Sequence, residues 1–215
     1  MPANLLSGNY QKKCIKGSKF LSSLDQDWHS LVSSVGPCKI NLSIELEPYQ
    51  ALIKSVIFQQ LRPASATAIF NRFKQNFDNN FPTAEKILAS PESKLKESGL
   101  SLNKRKTIIE IARHVQKGEL ENRQDFLMMN DSQIIEKLTK IKGIGEWTAQ
   151  MLMIFNLGKL DVFPAGDFAL RKNYSLFKSI ASPLTMRELS KISEEWKPFR
   201  SIAAWYLWRY RIILN

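Results

Sequence analysis

Apolar residues along this chain recur every three or four positions, and rarely at alternate ones. Tyr49, Leu52, Ile53, Val56 and Ile57 form the i, i+3, i+4, i+7, i+8 stripe of an amphipathic helix. Pro63, suited to a first helical turn, starts the next, with Ala66, Ile69, Phe70 and Phe73 on its buried side. Pro82 and Pro91 bracket a short helix at 84–89, and Ile108, Ile109, Ala112 and Val115 mark another over 104–115. Asp131 or Ser132 is placed to cap a helix whose inner face is Ile134, Ile135, Leu138 and Ile141. The run from Trp147 to Phe155 is apolar nearly all round, which predicts a central buried helix. Further helices are expected at 167–179, 184–193 and 199–213. Strand-like alternation is scarce, so the predicted fold class is all-α. Trp28, Leu31, Val32 and Val35 have no local apolar partner and are expected to pack with the C-terminal helices. Two lobes follow: residues 1–47 with 165–215, and residues 48–164.

Composition narrows the partners. Of 215 residues, 44% are apolar, enough for a packed core. Lys and Arg number 31 against 20 Asp and Glu, a net charge of +11, which favours a polyanion or an anionic surface. No apolar run approaches the roughly 20 residues of a spanning helix. The first 24 residues hold Lys12, Lys13, Lys16 and Lys19 but no apolar signal core, so no membrane association or secretion is expected. Two cysteines, Cys14 and Cys38, cannot build a disulfide framework or ligate an iron–sulfur cluster, and a reducing intracellular setting is expected.

The most informative stretch is Leu138-Thr-Lys-Ile-Lys-Gly-Ile-Gly-Glu-Trp-Thr-Ala149. It reads as a helix end, a tight hairpin and a new helix start within 138–150. Gly143 and Gly145 let backbone approach a ligand closely, and the amides opening the next helix, with the positive end of its dipole, suit a phosphate. Lys142 and Thr148 can add donors. A bare Gly-x-Gly is equally the mark of an ordinary helix–turn–helix connection; the flanking apolar residues and Thr148-Ala149 make this pattern more specific. Asp167 follows Gly145 by 22 positions and opens another apolar helix, where it can simply be the N-cap. A helix N-terminus favours a carboxylate in its ionised form.

Four segments in this order carry a resemblance: Tyr49-Gln-Ala-Leu-Ile-Lys-Ser-Val-Ile-Phe-Gln-Gln-Leu61, the hairpin, Val162-Phe-Pro-Ala-Gly-Asp167, and Trp196-Lys-Pro-Phe-Arg-Ser-Ile-Ala-Ala-Trp-Tyr-Leu-Trp208. Over residues 20–213 the chain resembles the helix–hairpin–helix DNA glycosylase superfamily, in its alkyladenine (3-methyladenine) branch, and within it the compact yeast enzymes and their paralogues. The resemblance implies two all-helical lobes with a DNA-binding cleft between them, and a monofunctional enzyme that flips a damaged nucleotide and hydrolyses the N-glycosidic bond of alkylated purines, initiating base excision repair. It makes Asp167 the catalytic carboxylate. It makes Gln60 and Leu61 the wedge that fills the space of the flipped nucleotide, with Arg62 at the minor groove. Trp147 and Phe168, and more weakly Met151 and Phe199, are pocket walls for a cationic purine; Trp205, Tyr206 and Trp208 are read as core.

Lys104, Arg105 and Lys106 oppose the dipole at a helix start, which hints at a phosphate near Lys104, although a solvated charge run reads the same way. The backbone carbonyls of Thr139, Ile141 and Ile144 occupy places where the family holds a monovalent cation when DNA is bound; no other cofactor is expected. Branches that also cut the strand carry a lysine where this chain has Trp147, and tryptophan cannot form a Schiff base. The expected partner is double-stranded DNA with a damaged or abasic nucleotide, the expected state a monomer, and the expected location the nucleus in a eukaryotic host.

The chain departs from the pattern at Gly166, where relatives often carry a second acid, and at Arg62, where related yeast enzymes often have His. Those departures keep a second reading open: a catalytically weak or inactive member that binds and bends DNA at abasic sites. A third is a structural hairpin module that tethers intact DNA.

Overall fold

Short polar caps punctuate this chain, and each starts a helix. Asp25, Thr83, Ser101, Asn122, Asn130, Asp167 and Thr185 all accept a hydrogen bond from a first-turn amide through their side chains. The computed structural model describes the backbone of residues 3–120 and 122–213, and the side chains of residues 8–120 and 122–210. The helices are α1 (Ala3–Ser22), α2 (Gln26–Val35), α3 (Pro48–Phe58), α4 (Pro63–Gln75), α5 (Ala84–Ala89), α6 (Glu92–Glu97), α7 (Leu102–Gln116), α8 (Arg123–Met128), α9 (Asp131–Thr139), α10 (Glu146–Phe155), α11 (Phe168–Phe177), α12 (Met186–Ile192) and α13 (Arg200–Ile213). No strand occurs among the described residues, and none of the helices is long and apolar enough to cross a membrane.

The cap of α9 is Asn130, not Asp131 or Ser132. Its side chain takes the Gln133 amide while Gln133 returns a bond to the Asn130 amide, a reciprocal pair that fixes the helix start one residue earlier. Three helices are not among those the apolar spacing predicts: α1, rich in lysine, and the short α6 and α8.

The chain divides into two units, residues 1–42 with 153–215 and residues 43–152. The second boundary falls inside α10, twelve residues before the expected 164/165 position, because the apolar second half of α10 packs with the chain ends.

In the terminal unit (1–42, 153–215), Trp28 on α2 packs edge-on against Phe177 and Trp196, with ring centroids 5.0 and 5.4 Å apart. This is the expected union of the N-terminal apolar stretch with the C-terminal helices. Phe163 and Tyr174 add rings at 5.1 and 5.4 Å from Trp196. A buried polar seam joins α1 to α13: Ser18 Oγ donates to the Cys14 carbonyl and accepts from the Cys38 amide, and the Tyr206 hydroxyl lies 2.8 Å from both Ser18 Oγ and the Gly36 carbonyl. Cys14 and Cys38 are buried, free thiols.

In the central unit (43–152), α7 packs on α3 and α5 through Ile53, Ile57, Ile108 and Ile111, all buried. Phe70, Phe73, Phe77 and Phe81 form a second apolar cluster beside α4. The Arg123 guanidinium gathers the carbonyls of Ile44 and Leu46, at 3.2 and 2.6 Å, where the chain enters this unit.

At one surface of the terminal unit the Lys178 ammonium bridges Asp25 and Asp27, at 2.7 and 2.6 Å. Burial opposes charge on Asp25, but Lys178 and the Trp28 amide outweigh it and hold the carboxyl below its ordinary range. Burial likewise opposes charge on Lys178, and the two carboxylates raise its pKa in net. Asp25's contribution to stability is therefore present above its unfolded value near pH 4 and lost as pH falls through its lower folded value. That of Lys178 is present below about pH 10.4 and lost as pH rises through its higher folded value. Exposed pairs are worth about 1 kcal/mol at most, so Lys178→Met is expected to melt roughly 2–4 °C below the parent at pH 7. Thermal unfolding followed from pH 7 down to 2 should show that gap closing below pH 4; a constant gap would assign the loss to packing.

Candidate nucleic-acid interface and active site

The hairpin between α9 and α10 is closed by two backbone bonds, Ile141 N to Leu138 O at 3.1 Å and Ile144 N to Ile141 O at 3.0 Å. Both isoleucines are buried and anchor the turn. The two glycines serve different ends. Gly143 has φ +95°, and a Cβ there would lie 2.0 Å from Thr107 Oγ1, so only glycine lets the hairpin seat against α7. Gly145 lies outside the left-handed region and has no protein atom within 4 Å of an added Cβ. Nothing in the fold calls for glycine there, and the open space leaves room for close approach of an external group. Ala149 N donates to Gly145 O at the start of α10, where the first amides of a helix have no carbonyl partner within the helix. Lys142 is exposed beside them, and Glu146 turns along the helix to accept from Gln150 Nε2 at 2.9 Å. Thr139 lies in the last turn of α9, where carbonyls have no following turn to pair with, and the Ile141 carbonyl already accepts one bond. These backbone oxygens are the hard donors a monovalent cation prefers.

The loop between α3 and α4 is Gln59–Arg62. Gln60 has φ +54°, unusual for a side-chain-bearing residue, and Leu61 at its tip is 37% exposed. Arg62 is exposed and precedes Pro63 at the start of α4. Two residues expected to donate to phosphate are engaged here instead. Lys104 Nζ donates to the carbonyls of Ile57 and Gln59, at 2.9 and 2.8 Å. Carbonyls at the C-terminal end of a helix have no partner within it and carry the negative dipole end, so those of α3 are a better partner than solvent for a cation on a neighbouring helix start. Burial pulls the Lys104 pKa below its ordinary value. Thr148 is only 3% exposed, and its hydroxyl accepts from Gln59 Nε2 at 3.0 Å, which leaves its backbone amide, not its side chain, for a ligand. A cavity of about 630 Å³ opens beside this cluster, bordered by Gln59, Asn103, Thr107, Lys142 and Gly143.

In the terminal unit the segment leading to Asp167 is pinned by Arg200 Nε to Asp161 Oδ1 at 2.8 Å and Val162 N to Ser201 Oγ at 2.9 Å. Asp167 caps α11, its Oδ1 accepting from the amides of Ala169 and Leu170 at 2.7 and 3.1 Å. Its Oδ2 accepts from the Trp208 indole N–H at 3.3 Å. The carboxylate is half-buried, held by donors on both oxygens and still open to solvent. Trp208, read from sequence as core, is thus a partner of the acid, and its other face stacks on Phe155 at 5.8 Å. A buried indole N–H needs an acceptor, and that requirement was the available signal. Gln59 was also missed: its partner lies 89 residues away, and no local pattern announces it.

Among the expected pocket walls, Trp147 is 41% and Phe168 60% exposed, the latter carrying the Arg171 guanidinium over its ring at 5.5 Å. Phe199 and Met151 differ from expectation, since both are buried. Phe199 packs on Phe20 at 5.5 Å and against the bare backbone of Gly17, as a core residue of the terminal unit.

A family model described as HhH-GPD superfamily base excision DNA repair protein matches residues 53–198. The chain belongs to this family. Two curated relatives come from Schizosaccharomyces pombe. DNA-3-methyladenine glycosylase 1 is 40% identical over 90% of this chain and 86% of its own length, and alkylbase DNA glycosidase-like protein mag2 is 36% identical over 90% and 92%. The solved structure of S. pombe 3-methyladenine DNA glycosylase Mag1 in complex with abasic DNA superposes with a TM-score of 0.84 at 39% identity, covering 90% of this chain and 95% of that one. The span matched to the HhH-GPD family includes the α3–α4 loop, the hairpin and Asp167, and ends before Trp208.

The unequal roles of the two glycines are testable by thermal unfolding. Gly143→Ala combines a disfavoured φ with a clash and is expected to cost roughly 2–3 kcal/mol, while Gly145→Ala stays within about 0.5 kcal/mol of the parent. Equal losses would contradict the assignment of Gly145 to an external ligand.

Proposed function

We propose that this member of the HhH-GPD family is a DNA glycosylase that hydrolyses the N-glycosidic bond of alkylated purines of the 3-methyladenine type in duplex DNA, the first step of base excision repair. The observation that carries the reading is Asp167: a solvent-accessible carboxylate at a helix N-terminus, aimed by two amides and the Trp208 indole. The 40% identical relative, a DNA-3-methyladenine glycosylase, supports the substrate class.

Its Oδ1 accepts from two backbone amides and its Oδ2 from the Trp208 indole, an arrangement suited to the stabilisation of an oxocarbenium-like sugar. An alkylated purine is already cationic. As its bond to C1′ breaks, the electron pair leaves with the base and neutralises it, so no general acid is needed. Water adds its oxygen to C1′ and gives its proton to Asp167 or to solvent. Gln60 and Leu61 fill the stack, the Gly143–Gly145 hairpin grips phosphate with Lys142, and the exposed rings of Trp147 and Phe168 offer faces to the everted base. The carbonyls of Thr139, Ile141 and Ile144 would hold a monovalent cation that helps neutralise phosphate. The protein is proposed to act as a monomer, in the nucleus of a eukaryotic host.

One observation favours the second reading, an abasic-site binder with little catalysis. A Cβ at Gly166 would meet only Met186 Sδ at 3.6 Å, so packing does not forbid the second acid that relatives often carry there. Release of 3-methyladenine from alkylated duplex, measured beside binding to an abasic duplex, decides between them. For the enzyme, Asp167→Asn is expected to lower single-turnover release by at least about 10²-fold while abasic-site affinity is kept. No release by the parent, with selective abasic binding, would establish the binder.

Trp147 stands where strand-cutting branches carry lysine, so water is the proposed nucleophile and no Schiff base forms. Borohydride treatment on abasic DNA is expected to leave no covalent adduct; efficient trapping would refute monofunctional hydrolysis.

A further inference from the structure

Lys104 reaches from the first turn of α7 to the far end of α3 and ends on two carbonyls that lead into the loop tip, Ile57 O and Gln59 O. The same Gln59 sends its amide to Thr148 in the first turn of α10, directly after the hairpin. The tip that leaves these fixtures begins with Gln60 in the left-handed region, a backbone state worth about 1–3 kcal/mol of strain that persists only where its surroundings enforce it. The exposed Leu61 and Arg62 follow immediately. The residue directly before the tip, Gln59, is thus tied both to α7 through Lys104 and to the first turn of α10 through Thr148.

We infer that Lys104 and Gln59 are positioning residues for the wedge: they hold the Gln60–Arg62 tip in one shape before DNA arrives and couple it to the hairpin, and Lys104 makes no phosphate contact. This rests on the reading of Leu61 as a wedge. A loop ordered in advance does not lose that freedom on binding, so the benefit falls on the damaged duplex, where the tip enters the stack, and not on intact DNA, where it does not. A lysine on phosphate behaves oppositely, since it helps every duplex and contributes about 0.9 to the salt slope.

The test is a titration of the full chain against two duplexes of one sequence, one intact and one with a tetrahydrofuran abasic analogue, across a series of salt concentrations. Lys104→Met is expected to lower the preference for the abasic duplex by about tenfold, the scale of a hydrogen bond to a charged group, and Gln59→Leu by about fivefold, the scale of a neutral one, both with intact-duplex affinity and salt slope unchanged. Gln59→Leu keeps the lysine, so the inference stays testable if Lys104→Met folds poorly. Equal weakening on both duplexes by Lys104→Met, with a slope shallower by about 0.9, would overturn it in favour of a phosphate contact. A lowered melting temperature with both affinities unchanged would overturn it in favour of a purely structural role. Leu61→Ala separates the premises: if it keeps the preference, the wedge reading itself falls, and if it loses the preference while Lys104→Met and Gln59→Leu keep it, only the positioning role falls.

Discussion

Burial of Trp28 against Trp196 is the contact on which the terminal unit depends. Both side chains are almost wholly withdrawn from water, and Phe163, Tyr174 and Phe177 pack around them. Replacing a buried tryptophan by alanine costs about 3–5 kcal/mol, a large share of the 5–15 kcal/mol by which a domain is stable. Around these rings α11 and α13 lie side by side, and Asn173 on the first donates to the Leu207 carbonyl on the second at 2.8 Å. The adjacent residue, Trp208, reaches Asp167. The carboxylate's aim is therefore a by-product of how an aromatic core aligns two helices.

The functional residues sit at helix ends, where backbone groups are left unpaired. Asp167 satisfies amides at the start of α11, and Lys104 satisfies carbonyls at the finish of α3. One is a carboxylate at a positive dipole end and the other an ammonium at a negative one, so a single electrostatic rule fixes both. At the start of α10 the amides lie beside a glycine that packs against nothing, and a phosphate is the complement they favour. The elements proposed to catalyse, wedge and grip are thus each built on a helix terminus.

The helical plan was legible because apolar spacing repeats at the helical period and prolines and caps punctuate it. The hairpin and Asp167 stood out through glycine placement and order along the chain, which resemblance turned into roles. What sequence hid is set by contacts between distant residues. Lys104 looked like a solvated or phosphate-facing cation because its partners, on α3, lie 45 and 47 positions away. Trp208 and Phe199 look alike in a sequence, both aromatic at helical spacing on or beside one helix, yet one faces the acid and the other the core. The boundary of the units fell within α10, since an apolar helix carries no mark of where its neighbours change.

The path of the chain has a consequence for its birth. Residues 43–152 are one uninterrupted stretch and leave the ribosome as a complete set of contacts, whereas the other unit joins residue 28 to residue 196. A nascent chain must therefore keep Trp28, Leu31 and the two free thiols of the amino-terminal stretch uncommitted until residue 196 has been translated. Premature termination anywhere in α12 leaves an orphaned amino-terminal segment with its apolar side bared, a natural substrate for chaperones and proteolytic quality control.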